Sequence, residues 1–145
     1  LDQISQIVLD KILPLLKEKK IFSFIGPLGA GKTTLIKEIF KQYGVLDVVS
    51  SPTFGYVKSY TACGPGCKAG PLTFHHFDLY RIDSLESVIN GGLDEYLSQE
   101  ESVCFIEWPG VIENLLERPG MQEKICQINL KYDCNDRETR FMEIL

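Results

Sequence analysis

Residues 26–33 read Gly-Pro-Leu-Gly-Ala-Gly-Lys-Thr, which fits the pattern G-x-x-x-x-G-K-[ST]. The pattern has a physical reason. Glycines let the backbone curl until successive N–H groups point inward, where they can hold phosphate oxygens. A helix starting at the end of the loop adds its positive pole. Lys32 is expected to reach the β- and γ-phosphates of a nucleotide, and the Thr33 hydroxyl to ligate Mg²⁺. The residues of the cradle are then Leu28, Gly29, Ala30, Gly31, Lys32, Thr33 and Thr34.

Chemistry at such a loop also needs a carboxylate near the metal, placed at the carboxyl end of a neighbouring strand. Two positions qualify. Asp78 follows the run Leu72 to Phe77, and Glu107 follows Val103 to Ile106. Periodicity does not rank them. Trp108-Pro109 stops the second run abruptly and would hold Glu107 in place. Ser51-Pro52-Thr53-Phe54 follows the phosphate-loop segment, and Thr53 could meet Mg²⁺ or the γ-phosphate as switch loops do; the same residues also make an ordinary turn. For Arg81 an ion pair, for His76 a plain hydrogen bond, and for Trp108 core or interface packing are the commoner roles.

These groups require a scaffold of alternating strands and helices. Ile4, Ile7, Val8, Leu13 and Leu16 recur at helical spacing, with an interruption at Pro14. Ile21 to Ile25 reads as a strand. Leu35, Ile36, Ile39 and Phe40 mark a helix that Gly44 ends. Phe54 to Tyr60 reads as a strand and Thr61 to Pro71 as a loop. Leu72 to Phe77 and Ser102 to Ile106 are buried strands. Ser84 to Leu97 is a helix in two pieces, broken at Gly91-Gly92, and Val111 to Leu116 is a short helix. Ile125 to Tyr132 and Thr139 to Leu145 flank a hairpin turn at Cys134-Asn135-Asp136. The fold class is α/β and P-loop NTPase-like. A mainly parallel central sheet is flanked by helices, with a C-terminal β-hairpin, in one domain over residues 1–145.

The 145 residues carry 15 Lys and Arg against 20 Asp and Glu, a net charge of −5, with no basic cluster. That balance argues against autonomous nucleic-acid binding. No apolar run approaches the ~18 residues of a membrane span. Nothing at the start resembles a signal peptide, so a soluble, cytoplasmic chain is expected. Of the five cysteines, Cys104 and Cys126 lie in apolar runs and read as core fillers. Cys63 and Cys67, with His75 and His76, match no familiar zinc spacing, and a reduced loop is the expectation.

Taken together the motifs resemble the TsaE family. The match is carried by Gly29-Ala30-Gly31-Lys32-Thr33-Thr34, Ser51-Pro52-Thr53-Phe54, His76-Phe77-Asp78-Leu79-Tyr80-Arg81 and Glu107-Trp108-Pro109, and it runs from Ile4 to the C-terminus. The resemblance implies a Mg²⁺-dependent ATPase, binding ATP and ADP, that supports formation of N6-threonylcarbamoyladenosine at adenosine 37 of tRNA. It would act with the TsaB–TsaD complex, in which TsaD transfers the group, and would meet tRNA only through that complex. It further implies Mg²⁺ ligation at Thr33 and Glu107, a catalytic role for Asp78 beside Lys32, and a switch-like segment at Thr53. Pro27 and Gly110 depart from the family pattern, the Cys63 to Gly70 loop looks inserted, and a family Thr that helps frame the adenine has no assignable match. A small-molecule kinase would bring an Arg-rich lid, which is absent. A GTP switch would bring Asn-Lys-x-Asp, also absent. An interaction module that binds nucleotide with little turnover shares the same loop and stays open on sequence alone.

Overall fold

The computed structural model describes residues 2–52, 55–64 and 70–145. Six strands form one sheet in the order β2-β3-β4-β1-β5-β6. They are β1 (Ile21–Ile25), β2 (Val57–Ala62), β3 (Leu72–Asp78), β4 (Ser102–Glu107), β5 (Ile125–Tyr132) and β6 (Arg140–Ile144). β3, β4, β1 and β5 run parallel, while β2 and β6 pair antiparallel at the two edges. The mainly parallel sheet and the closing β5–β6 hairpin are those expected from the apolar runs.

Alternation along the strands splits the interior into two layers. Phe22, Phe24, Phe74, Val103, Phe105, Cys126 and Ile128 face α2 (Lys32–Tyr43) and the N-terminal helical segment. Ile21, Phe77, Cys104 and Ile106 face the other way, against α3 (Leu85–Asn90), α4 (Leu93–Ser98) and α5 (Glu113–Leu116). Period two therefore also assigns the strand ends. His76 and Asp78 share a face with Phe74, and Glu107 shares one with Phe105. All three point towards α2. Cys104 and Cys126 are buried as expected, and burial pushes the Cys104 thiol up to about 12.

α2 carries the loop into the core. Leu35, Ile36, Ile39 and Phe40 are buried along one stripe. Its end is chemically defined: Gly44 adopts φ 99°, and the N–H groups of Gly44 and Val45 donate to the carbonyls of Lys41 and Phe40 at 3.2 and 2.9 Å. That is a Schellman closure, which a glycine at this φ permits.

Three element boundaries differ from the sequence reading. The second strand runs from Val57 to Ala62, so Thr61 and Ala62 belong to the ladder with β3 rather than to a loop. Phe54 lies outside the described residues, as do Thr53 and Cys67. Asp78 and Glu107 are the last residues of their strands, because the parallel ladder extends to pair them with each other. The N-terminal segment is α1 (Gln3–Ile7), then a π-helical turn over Val8–Ile12 and a 3₁₀ turn over Leu13–Lys17. Pro14 has no N–H for the carbonyl four residues back, and its ring crowds that carbonyl. The helix widens just before it, with the Leu13 N–H donating to the Val8 carbonyl.

Phe105 sits at the centre of the layer under α2, with ring centroids 5.4 Å from Phe22, 4.8 Å from Phe40 and 4.9 Å from Phe74. Phe105→Ala should lower unfolding stability by about 3–5 kcal/mol in denaturant titration. A loss below about 1 kcal/mol would mean that the layer does not hold the sheet to α2.

Candidate functional site

The loop between β1 and α2 is shaped by space as much as by torsion. Gly29 and Gly31 take φ +74° and +97°. Gly26 does not need a positive φ, but a Cβ there would meet the Leu130 carbonyl oxygen of β5 at 2.5 Å. The loop thus lies directly against the next strand. Tyr132, at the end of β5, pins it from the side by donating from its hydroxyl to the Leu28 carbonyl at 2.7 Å.

Lys32 and Thr33 open α2 on the sheet side. Lys32 is 4% exposed, and its ammonium donates to the Gly26 and Pro27 carbonyls at 2.7 and 2.9 Å. It also lies 4.1 Å from the centre of the Trp108 ring, a cation–π contact. Burial pushes the Lys32 pKa down, and the nearby Glu107 and Asp78 carboxylates act against that shift. In this arrangement the ammonium closes over the loop's own carbonyls, the place a phosphate-bound lysine would leave.

Thr33 donates from its hydroxyl to both Glu107 carboxylate oxygens, at 2.8 Å to Oε1 and 3.1 Å to Oε2. Glu107 is 3% exposed. Beneath it, His76 Nε2 lies 2.8 Å from Glu107 Oε1, with the imidazole fully buried. Asp78 stands beside Glu107 in register and is half-buried, and its Oδ1 accepts from the Tyr80 N–H at 3.1 Å. Lys32, Thr33, Thr34, Asp78 and Glu107 line one cavity of about 250 Å³ at the loop. A larger cavity of about 730 Å³ lies on the opposite sheet face and shares Gly26, Pro27 and Trp108 with the loop. Its acidic lining is Glu113 and Glu117, and neither stands at a strand end.

The donors near Thr33 among the described residues are its own hydroxyl, that of Ser51 and the Glu107 and Asp78 carboxylates, all oxygen, which suits Mg²⁺ rather than a thiolate-seeking metal. Among the described residues no cluster of His, Cys, Asp and Glu matches a zinc site. His75 and His76 point to opposite faces. His75 Nδ1 is 2.7 Å from Ser59 Oγ, and its Nε2 is 2.8 Å from Gln99 Oε1. Burial pushes the His75 pKa down, with the Gln99 hydrogen bond opposing it.

Trp108 follows Glu107 with φ 57°, and among the described residues it is the one non-glycine at positive φ. The left-handed turn swings the indole out of the ladder and over Lys32, and the Tyr80 ring packs against it at 4.9 Å. Backbone strain of this kind concentrates at functional sites. Trp108 is half-buried and packs against the core layer beneath α3 and α5, in line with the packing role expected for it, and it also borders the site. Arg81 is exposed. Sequence reasoning singled out Thr53, which lies outside the described residues. Its neighbour Ser51 places its hydroxyl 3.4 Å from that of Thr33. Tyr132 was not anticipated, since it lies 104 residues from Leu28.

The strand–loop–helix unit, its glycine cradle and the strand-end carboxylates define an α/β protein of the P-loop NTPase-like class. Residues 3–140 match the family model described as Threonylcarbamoyl adenosine biosynthesis protein TsaE. Three proteins named tRNA threonylcarbamoyladenosine biosynthesis protein TsaE show the same relation. The one from Rickettsia conorii is 31% identical over 90% of this chain and 75% of its own length. That from Bacillus subtilis is 35% identical over 73% and 61%, and that from Haemophilus influenzae 37% identical over 67% and 57%. The chain belongs to the TsaE family of threonylcarbamoyladenosine biosynthesis proteins.

The tight seat of the loop against β5 predicts the cost of filling it. Gly26→Ala should lower unfolding stability by about 1–3 kcal/mol, because the clash is with backbone. Gly110→Ala, whose Cβ would meet nothing within 4 Å, should stay within about 0.5 kcal/mol. Equal thermal melts for the two variants would contradict this seating.

Proposed function

We propose that this chain binds ATP and ADP with Mg²⁺ at residues 28–34, and hydrolyses ATP slowly in support of tRNA threonylcarbamoyladenosine formation. The observation that carries the reading is the Thr33 hydroxyl bonded to Glu107 at the mouth of a Gly29–Gly31 cradle, with Asp78 beside it in register. A nucleotide-binding interaction module would need the cradle; it would not need a second strand-end carboxylate facing the same cavity.

In this reading the loop N–H groups and the Lys32 ammonium bind the β- and γ-phosphates. Thr33 and Glu107 hold Mg²⁺, directly or through water. When bound, Mg²⁺ would neutralise phosphate charge. Asp78 would orient the attacking water, directly or through a water on the metal, acting on the transition state more than on the ground state. For Thr53 the proposed role is that of a switch residue answering to the γ-phosphate. The nucleoside end would lie in the cavity of about 660 Å³ beside the loop, between Gln3, Ile7 and Thr34 on one side and Thr139 and Arg140 on the other.

The proposed partners are TsaD and TsaB-type proteins, with tRNA met through them. The net charge of −5 supports indirect rather than direct RNA contact. Leu28 and Tyr80 are 60% and 52% exposed at the site's rim, which suits a site covered by a partner and a low rate without one. No helix among the described residues is long and apolar enough to cross a membrane. A cytoplasmic location is part of the proposal.

Two variants separate binding from chemistry. Lys32→Ala should give no detectable heat of ATP binding in calorimetry, because the point charge on the phosphates is gone. Asp78→Ala should keep nucleotide affinity within about threefold, yet lose about 10²–10⁴-fold in hydrolysis assayed with TsaB and TsaD present. Unchanged affinity in folded Lys32→Ala would remove the nucleotide site. Near-normal turnover in Asp78→Ala would reduce that residue to the Tyr80 cap.

A further inference from the structure

We infer that His76 is a positioning residue, fixing the Glu107 carboxylate for the divalent metal of the phosphate loop. The inference rests on the nucleotide-site reading above and concerns a residue to which that reading gives no role.

His76 occupies a place that packing alone would fill with an apolar ring. It lies on the face of β3 under α2, fully buried, with the Phe40 ring 6.2 Å away and Phe105 as its register partner on β4. Nε2 is 2.8 Å from Glu107 Oε1. Nδ1 is buried with no hydrogen-bond partner. An unpaired buried polar atom costs about 1–3 kcal/mol, which a phenylalanine here would not incur. The one hydrogen bond to Glu107 is the compensating feature.

The tautomer follows from the partner. An ionised carboxylate only accepts, so the hydrogen of this bond sits on Nε2, which donates to Glu107. The neighbouring histidine shows the contrast. His75 has a partner on each ring nitrogen, Ser59 and Gln99, and faces the other layer. One strand thus holds a fully satisfied histidine and a half-satisfied one, and the half-satisfied one faces the site.

Glu107 needs such a hold. Among the described residues no Lys or Arg forms an ion pair with it; the side-chain nitrogen beside it is His76 Nε2. Lys32 is engaged with the Gly26 and Pro27 carbonyls. The carboxylate is gripped from α2 by Thr33 and from within the sheet by His76. The Thr33 hydroxyl is itself a proposed metal ligand. The His76 bond is therefore the anchor that leaves the metal-facing atoms free. Partners behind a metal ligand fix its orientation, and their loss typically costs 10–100-fold in metal affinity.

The test compares His76→Phe, which keeps the ring and removes the donor, with His76→Gln, whose amide restores an N–H. Binding of a fluorescent ATP analogue is measured in EDTA and across a Mg²⁺ titration, alongside thermal melting. His76→Phe should melt no lower than the unaltered protein and should bind the analogue equally in EDTA. It should need at least about tenfold more Mg²⁺ to reach the metal-bound affinity. His76→Gln should recover most of that shift. A His76→Phe protein with an unshifted Mg²⁺ midpoint overturns the inference while leaving the nucleotide site standing. An unaltered protein that binds no nucleotide in Mg²⁺ overturns the underlying reading, and this inference with it. Should His76→Phe not fold, long-range ¹H–¹⁵N spectra of the unaltered protein decide: a hydrogen on His76 Nε2 upholds the assignment, and an Nε2 without one overturns it.

Discussion

The hydrogen bond from Thr33 to Glu107 joins two parts of the chain that are 74 residues apart, the first turn of α2 and the last residue of β4. Its geometry needs β1 and β4 to be parallel neighbours, with Phe24 opposite Glu107, so that loop and carboxylate emerge at the same end of the sheet. It also needs α2 pressed onto the Phe22–Phe74–Phe105 layer, since a helix lifted by one side chain would take the hydroxyl out of reach. The aromatic layer, the Schellman closure after Tyr43 and the seat of Gly26 on β5 all act on the position of Thr33. Core packing and site geometry are therefore one problem in this protein, and a fault in the layer under α2 reaches the phosphate loop directly.

The two carboxylates at the loop differ in how they are held. Glu107 is buried and bonded on two sides; Asp78 is half-buried and bonded locally to the Tyr80 amide. A fixed acid suits a structural metal contact, and a partly solvated one suits water orientation. Trp108 belongs to the same construction. Its left-handed backbone ends β4 immediately after Glu107 and lays the indole over Lys32, so one residue terminates the strand and covers the lysine. Pro109 follows and prevents the ladder from continuing.

Much of this was legible in the residues. The phosphate loop has a fixed spacing, and the apolar runs of β1, β3 and β4 are long enough to mark buried parallel strands. Asp78 and Glu107 stood out because each ends such a run. Their pairing was not legible, because it depends on register between strands, which no local pattern encodes. The His76 contact was hidden for the same reason: a histidine inside Thr73-Phe74-His75-His76-Phe77 reads alike on either face until the sheet is assembled. Tyr132 pins Leu28 across most of the chain. The interruption at Pro14 is legible from the proline itself; the π turn ahead of it is not, because apolar spacing only marks a helical face and the widening comes from the missing N–H. The second strand was placed too early because Thr61 and Ala62 adjoin a glycine- and proline-rich stretch that pulled the boundary back.

The most direct test of the account is a crystal structure of this chain with Mg²⁺ and a non-hydrolysable ATP analogue. In it the Lys32 ammonium should have left the Gly26 and Pro27 carbonyls for the phosphates. Thr33 and Glu107 should lie on the metal, directly or through water, with His76 Nε2 still on Glu107. A nucleotide bound elsewhere, with Lys32 still on its loop carbonyls, would contradict it.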